Sequence, residues 1–284
     1  MNSCNRPYPT RALLANVARK YELDQVPGKE LDLCMASTTI STMKSTELPA
    51  LNAIAAAYDR DGYWIAHGLF SAAECEELKK EALRVMKEAA EKMWKANRDP
   101  SVYVGVAANS PMYYRLAGDP RIVGILKAIM PDGVAFMSDK FVFKSGTKRF
   151  ATPWHYDAAY WPKTRPKLSV WIPLDDCSAG NGTLKVVRAS HKREWSHKRA
   201  DTSKTNNEFD NVISESQWKP EDEVICEIKR GSAIFFSDRT LHASCENTSG
   251  EDRYAIISTY HAPAALEEEF DKSFAARHVI VAKG

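Results

Sequence analysis

A chain of 284 residues, 44% hydrophobic and 27% charged, can bury a large core, either as one all-β or α+β domain with added helices or as two small domains. Lysine and arginine number 39 against 37 acidic residues, a net charge of +2, so the balance calls for neither nucleic acid nor an anionic membrane as partner. No apolar run approaches the roughly 20 residues of a membrane span, the N-terminus lacks a secretory signal, and the six cysteines contain no C-x-x-C pair, which favours reduced thiols in a cytoplasmic setting.

Residues 1–46 read as an N-terminal extension, with a short helix over Arg11–Tyr21 and a Ser/Thr-rich linker over Ser37–Thr46. Leu48–Arg60 is Ala-rich with helical apolar spacing; Asp61–Gly62 stops it, and Tyr63–Ala66 is a short strand. Ser71 with Glu74 three residues later is a capping box. It opens a long helix to about Lys95, with Leu78, Leu83, Met86, Ala90 and Met93 near helical spacing. Beyond Asn97–Pro100 the character turns to β. Val102–Val106 and Val134–Lys144 are predicted strands around a helix at Pro120–Met130. Leu168–Leu174, Thr183–Val187, Glu223–Lys229, Ser232–Phe236 and Arg253–Tyr260 follow, with turns at Ser178–Gly182, Lys229–Gly231 and Glu246–Glu251. Many short strands with frequent turns predict a sandwich or barrel. Lys192–Pro220 is the exception, a polar, aperiodic stretch that reads as a lid or binding loop.

His155 and Asp157 stand two residues apart among aromatics, in Pro153–Trp154–His155–Tyr156–Asp157–Ala158–Ala159–Tyr160–Trp161–Pro162. In an extended chain both side chains point to one face. Among the seven histidines, His242 is the best third partner, because it follows the strand-like Ser232–Phe236. Two His and one carboxylate leave coordination positions open, as non-haem Fe(II) oxygenases require, whereas a closed zinc site would add a fourth ligand. Such an iron needs an electron source for O2. A 2-oxo acid would chelate it and present a far carboxylate to a buried cation. Arg253, 11 residues past His242 and across the turn Glu246–Glu251, suits that role if a hairpin brings it back beside His242. Ser244 would share His242's face and donate to the same carboxylate.

H-x-D, a distal His and an Arg 11 residues later resemble the phytanoyl-CoA dioxygenase family of Fe(II)/2-oxoglutarate oxygenases, over roughly Tyr58 to Tyr260. Tyr58–Asp59–Arg60–Asp61–Gly62–Tyr63, then Leu69–Phe70–Ser71 and Cys75–Glu76, look like its N-terminal signature. Asn181–Gly182–Thr183–Leu184 through Ser190–His191 is similar to its next stretch, with Arg188–Ala189 where the family has Pro-Gly. Gly231–Phe236 with Leu241–His242 and Asn247 matches its distal-His strands. The resemblance implies a mainly β (α+β) fold, a double-stranded β-helix (jelly roll) flanked by N-terminal helices, in one domain over residues 47–284 with a lid at 192–220. It implies that His155, Asp157 and His242 hold Fe(II), that Arg253 binds 2-oxoglutarate, and that Ser169 and Ser244 touch this co-substrate.

The implied activity is oxidation, by hydroxylation first, of an unactivated C–H bond of a small-molecule metabolite, with O2 consumed and succinate and CO2 released. Desaturation or ring formation in natural-product biosynthesis is the alternative within the same chemistry, and a non-catalytic jelly-roll binding protein is the alternative outside it. Asp157 disfavours halogenation, since the related halogenases have a small residue at that position. Tyr160 and Trp161 either wall the substrate pocket or pack in the core. His191 reads as a capping or packing residue of its loop. Lys140 lies in the strand before the metal pair, where it could face inward, and is given no role. Specificity is expected in the loops Tyr103–Tyr114, Ala158–Lys167 and Lys192–Pro220. Oligomeric state is not legible.

Overall fold

The computed structural model describes residues 51–92, 102–147, 149–160, 166–199, 211–263 and 279–283. The expectations for residues 1–46, for Trp161 and for the end of the long helix fall outside these residues. Helix α1 (Leu51–Asp61) and strand β1 (Tyr63–Ala66) flank Gly62, whose positive φ of 84° makes the sharp exit that the Asp-Gly pair predicts. Helix α2 (Ala72–Lys92) opens on the expected capping box: the Glu74 amide donates to Ser71 Oγ at 3.2 Å, and the Ser71 amide to Glu74 Oε2 at 2.7 Å. Its buried stripe is Cys75, Leu78, Ala82 and Val85. Leu83, expected to face inward, is 39% exposed, because five residues past Leu78 it falls off this three-four spacing.

Strand β2 (Val102–Val104) is followed by helices α3 (Pro111–Ala117) and α4 (Pro120–Ile129). The sequence did not announce α3, although its start carries a capping pattern: Ser110 Oγ accepts from the Tyr113 amide and Pro111 opens the helix. The β-region then runs through β3 (Gly133–Lys144), β4 (Lys167–Pro173), β5 (Leu184–Val187), β6 (His197–Arg199), β7 (Asn211–Ile213), β8 (Glu223–Ile225), β9 (Ala233–Ser237), β10 (His242–Ser244), β11 (Arg253–His261) and β12 (Val279–Lys283). The large antiparallel sheet has the order β1-β9-β4-β11-β3-β12, with β2 also on β3; the small sheet is β10-β5-β8; β6 and β7 pair as a hairpin.

Alternation along the large sheet gives it two apolar faces. One carries Phe141, Ile256 and Tyr260 and packs on the helices through Ile54, Leu78, Tyr113 and Ile125. The other carries Trp171, Ile234, Phe236 and Ala255 and packs on Leu184, Val186 and Cys226 beside the small sheet. The fold is the expected jelly roll with N-terminal helices on its outer face.

The polar stretch 192–220 is not structureless where it is described. The β6–β7 hairpin and its flanks lay Trp195, Ile213 and Trp218 against Trp154, Val187, Leu241 and Ala243 in a third buried cluster. The anchors escaped the sequence reading because they occur singly among polar residues, with no period. Cys75, Cys177, Cys226 and Cys245 are free thiols. No helix among the described residues is long and apolar enough to cross a membrane.

Candidate metal centre

His155 and His242 face each other across an isolated antiparallel bridge, His155 N–H to His242 O at 3.0 Å and His242 N–H to His155 O at 2.9 Å. This pairing sets the imidazoles side by side, with centroids 4.1 Å apart. Each Nδ1 sits against a backbone carbonyl, Pro153 O at 2.8 Å and Thr240 O at 2.9 Å. A carbonyl only accepts, so both Nδ1 atoms carry the proton and both Nε2 atoms present a lone pair. The extended backbone assumed for His155–Asp157 ends at Tyr156; Asp157 begins a one-turn 3-10 helix. The Ala158 amide ties that turn to Asp238 O at 2.9 Å. Asp157 Oδ1 lies 3.8 Å from each Nε2, and one donor atom from each of the three residues falls within 4.8 Å of the others.

The electrostatics suit a cation. Burial, and then His242, push His155 down to about 3, which keeps the ring neutral near neutral pH. Burial would raise Asp157, but His242, Lys140 and His155, with a hydrogen bond from Ser169, hold it below the usual carboxylate range. Neutral imidazoles and an ionised carboxylate converging on one point are the donor set of an open divalent-metal site. Ser169 Oγ also contacts Thr259 Oγ1 at 3.3 Å, so its hydroxyl lies between Asp157 and the Thr259 hydroxyl of β11.

Arg253 is brought to the site by a different route from the expected hairpin. β10 pairs with β5 of the small sheet, whereas β11 pairs with β3 and β4 of the large one. Arg253 is 2% exposed. Its Nη2 donates to Gly182 O at 2.8 Å and its Nε to Asn181 O at 3.4 Å, while Nη1 has no partner among the described residues. Trp171 lies along the guanidinium, 5.6 Å from ring centroid to Cζ. Asp175 is already engaged by Lys79 at 2.5 Å and by the Tyr254 amide at 2.8 Å. A buried donor left unpaired beside a metal-ligand face is the observation expected of a site that receives a carboxylate.

The sequence reading missed Lys144, paired directly across from Arg253. It is 1% exposed and donates to Phe150 O (2.7 Å), Ser244 Oγ (2.7 Å) and Cys245 O (2.5 Å). Burial, then the charge of Arg253, push it down to about 7. Two buried cations side by side form a strongly electropositive pocket. Its walls need Gly182: with φ at +87°, a Cβ there would sit 2.5 Å from Lys144 Cδ. Ser244 Oγ accepts from Lys144 and from the Thr152 amide at 3.0 Å, which leaves its own proton free to donate.

Tyr160 lies edge-on to His155, centroids 6.3 Å apart, and is 37% exposed, so it is not part of the core. His191 packs against Gly62 and contacts Asp59 O at 3.0 Å, away from the three ligand residues, in line with its reading as a packing residue. The N-terminal signature docks on the loop before His242: Gly62 O accepts from the Ser237 amide (3.1 Å) and from Thr240 Oγ1 (2.7 Å).

Comparison with known proteins agrees with this geometry. The profile of the phytanoyl-CoA dioxygenase (PhyH) family matches residues 58–255. The ectoine dioxygenase of Sphingopyxis alaskensis is 26% identical over 241 residues, covering 76% of this chain and 78% of the relative. A probable α-ketoglutarate-dependent hypophosphite dioxygenase of Stutzerimonas stutzeri is 29% identical over 158 residues, 53% of each protein. The crystal structure of EctD from S. alaskensis with 2-oxoglutarate and 5-hydroxyectoine superposes with a TM-score of 0.62 at 25% identity, covering 87% of this chain and 89% of that one. The chain belongs to the phytanoyl-CoA dioxygenase family and shares with these relatives the class of 2-oxoglutarate-dependent non-haem iron dioxygenases.

Proposed function

We propose that this enzyme holds Fe(II) through His155 Nε2, His242 Nε2 and Asp157, and 2-oxoglutarate through Arg253 and Ser244, with Lys144 in support. Its reaction is the hydroxylation of an unactivated C–H bond of a small metabolite. The observation that carries the reading is the coincidence of three converging ligand atoms with a buried, half-paired guanidinium on β11. Iron with 2-oxoglutarate supplies the activation of O2: one oxygen atom enters the substrate, the other enters succinate, and CO2 leaves. The chain's own residues provide the geometry. The carbonyls of Pro153 and Thr240 fix the imidazole tautomers. Ser169 steadies Asp157. Arg253 would receive the far carboxylate, Ser244 would donate to it, and Lys144 would support both by holding Ser244 Oγ beside Arg253.

The relatives are named for small molecules, ectoine and hypophosphite, which supports a small substrate here. Tyr160, at the solvent edge of His155, and the neighbouring Trp161 would wall the substrate side. The 192–220 segment would cover it as a lid, and residues 47–284 would form one catalytic domain after an extension at 1–46. A reduced cytoplasmic setting fits the free thiols. Anaerobic addition of Fe(II) and 2-oxoglutarate should produce a metal-to-ligand charge-transfer band that His155→Ala abolishes. A substrate panel should release succinate and give a product heavier by one oxygen. A product lighter by two hydrogens would move the reading to desaturation or ring closure, and no band at all would refute it.

A further inference from the structure

We propose that Lys140 is the substrate-recognising residue of this site, and that the substrate carries an oxyanion, a carboxylate in the first instance, which Lys140 holds beside the metal. This rests on the reading of the metal centre given above. Strand β3 sends alternate residues inward, so Lys140 shares the inner face with Lys144 and stands across from Ile257 of β11 and Val104 of β2. The two lysines serve different places. Lys144 and Arg253 act on one another's charge. Lys140 acts on His155 and Asp157. Its ammonium therefore lies on the metal side, away from the pocket for the far carboxylate of 2-oxoglutarate.

Lys140 is half-buried, and no hydrogen bond or ion pair joins it to any described residue. Lysine ordinarily runs its stem along apolar surface and carries its charge out to water. A half-buried ammonium that meets no acceptor among the described residues is placed to receive one from a ligand. Neutralising Asp157 does not explain it. A divalent ion, the Asp157 carboxylate and the near carboxylate of 2-oxoglutarate balance to zero among themselves. Arg253 takes the far carboxylate, and Lys144 already donates to three oxygens. Lys144 thus spends its three N–H groups inside the protein, and Lys140 is the inward lysine of β3 whose N–H groups make no hydrogen bond to the described residues; an anionic substrate group is what answers it. Anchoring that group would also orient the substrate, fixing which C–H bond faces the iron.

The test uses the anaerobic enzyme loaded with Fe(II) and 2-oxoglutarate and a set of small carboxylic acids, each paired with its primary amide. Binding is read from the perturbation of the charge-transfer band. In the wild-type enzyme the best acids should bind about tenfold or more tightly than their amides, the least a hydrogen bond to a charged group gives. Lys140→Met, and Lys140→Gln as a second uncharged variant, should lose that preference; Lys140→Arg should keep it. The 2-oxoglutarate affinity of all the variants should match the wild type. The proposal is overturned if no acid binds more tightly than its amide, or if the uncharged variants keep the preference. It is also overturned if they lose 2-oxoglutarate instead, which would put Lys140 on the co-substrate. Absence of the band in the wild-type enzyme would overturn the reading of the metal centre itself.

Discussion

Replacing Arg253 with Met separates a binding cation from a structural one. Truncating one partner of a buried, hydrogen-bonded charge pair costs about 2–5 kcal/mol, so 2-oxoglutarate affinity should fall on the order of thirty- to several-thousand-fold. Lys144, paired across from Arg253, keeps one positive charge in the pocket and places the expected loss toward the lower end. The effect on folding should be opposite in character. Without ligand, Arg253 gives one good hydrogen bond, Nη2 to Gly182 O at 2.8 Å, and a longer one from Nε at 3.4 Å, while Nη1 stays unpaired and Lys144 repels it. Losing those bonds costs about 1–3 kcal/mol. Removing a buried cation that lacks a counter-ion returns a comparable amount. The apo-enzyme should therefore unfold at nearly the same denaturant concentration as wild type, while titration of the Fe(II)-loaded protein with 2-oxoglutarate shows the large loss. Unchanged co-substrate affinity, or a several-kcal/mol loss of apo stability with affinity intact, would refute the assignment.

A divalent ion at a hundred times its Kd should stabilise the wild type by about 2.7 kcal/mol, and His242→Ala should abolish the gain in thermal unfolding; an equal gain in the variant would place the ion elsewhere. Burial pushes Lys144 down to about 7 when folded, so above that pH the unfolded chain binds the extra proton. The stability difference between wild type and Lys144→Met should therefore move in favour of wild type from about pH 7 up to about pH 10 and be flat below pH 7, as denaturant titrations would show; a flat profile throughout refutes the burial argument. Trp218→Ala removes the edge contact with Trp154, 5.0 Å between centroids, and should cost about 3–5 kcal/mol in chemical denaturation while weakening metal binding through the residue before His155. Metal affinity left at the wild-type level would uncouple the hairpin from the ligand. Ala189 has φ of 56°, where an L-residue costs roughly 1–2 kcal/mol and where the family's glycine would not. Ala189→Gly should gain up to about 1 kcal/mol after the extra unfolded-state entropy of glycine, and a lower denaturation midpoint would contradict that strain.

The convergence of the three proposed metal ligands was legible because the chemistry leaves a local mark: His155 and Asp157 sit two apart, and His242 follows a strand. Arg253 was legible as a spacing but not as a path. The step from His242 reads as a hairpin, yet β10 and β11 belong to different sheets, a choice made by their partners β5 and β3 far away in the chain. Lys144 and Lys140 were illegible as a pair for another reason. Lysines four residues apart on a strand look like part of one solvated face of an amphipathic sheet, and only the fold leaves Lys144 buried and Lys140 half-buried on that face. Trp195, Ile213 and Trp218 were lost in a polar stretch because a hairpin pinned by single anchors has no periodicity to detect.

The site draws on both sheets, and this division explains how one fold can hold iron firmly while changing its substrate. His242 and its bridge partner His155 extend the small sheet; Arg253, Lys144 and Lys140 come from β11 and β3 of the large one. Asp157, two residues past the bridge residue His155, is tied to the large sheet, its turn to Asp238 O just after β9 and its carboxylate to Ser169 of β4. The two histidines proposed as metal ligands and Arg253, proposed to take the far carboxylate, are each fixed by backbone carbonyls, Pro153 O, Thr240 O and Gly182 O. The Lys140 side chain makes no hydrogen bond to the described residues, and Tyr160 is 37% exposed beside His155. Substitution of Lys140 can alter what is bound without moving the three ligands, because their geometry is set by bridge and turn hydrogen bonds in which its side chain takes no part.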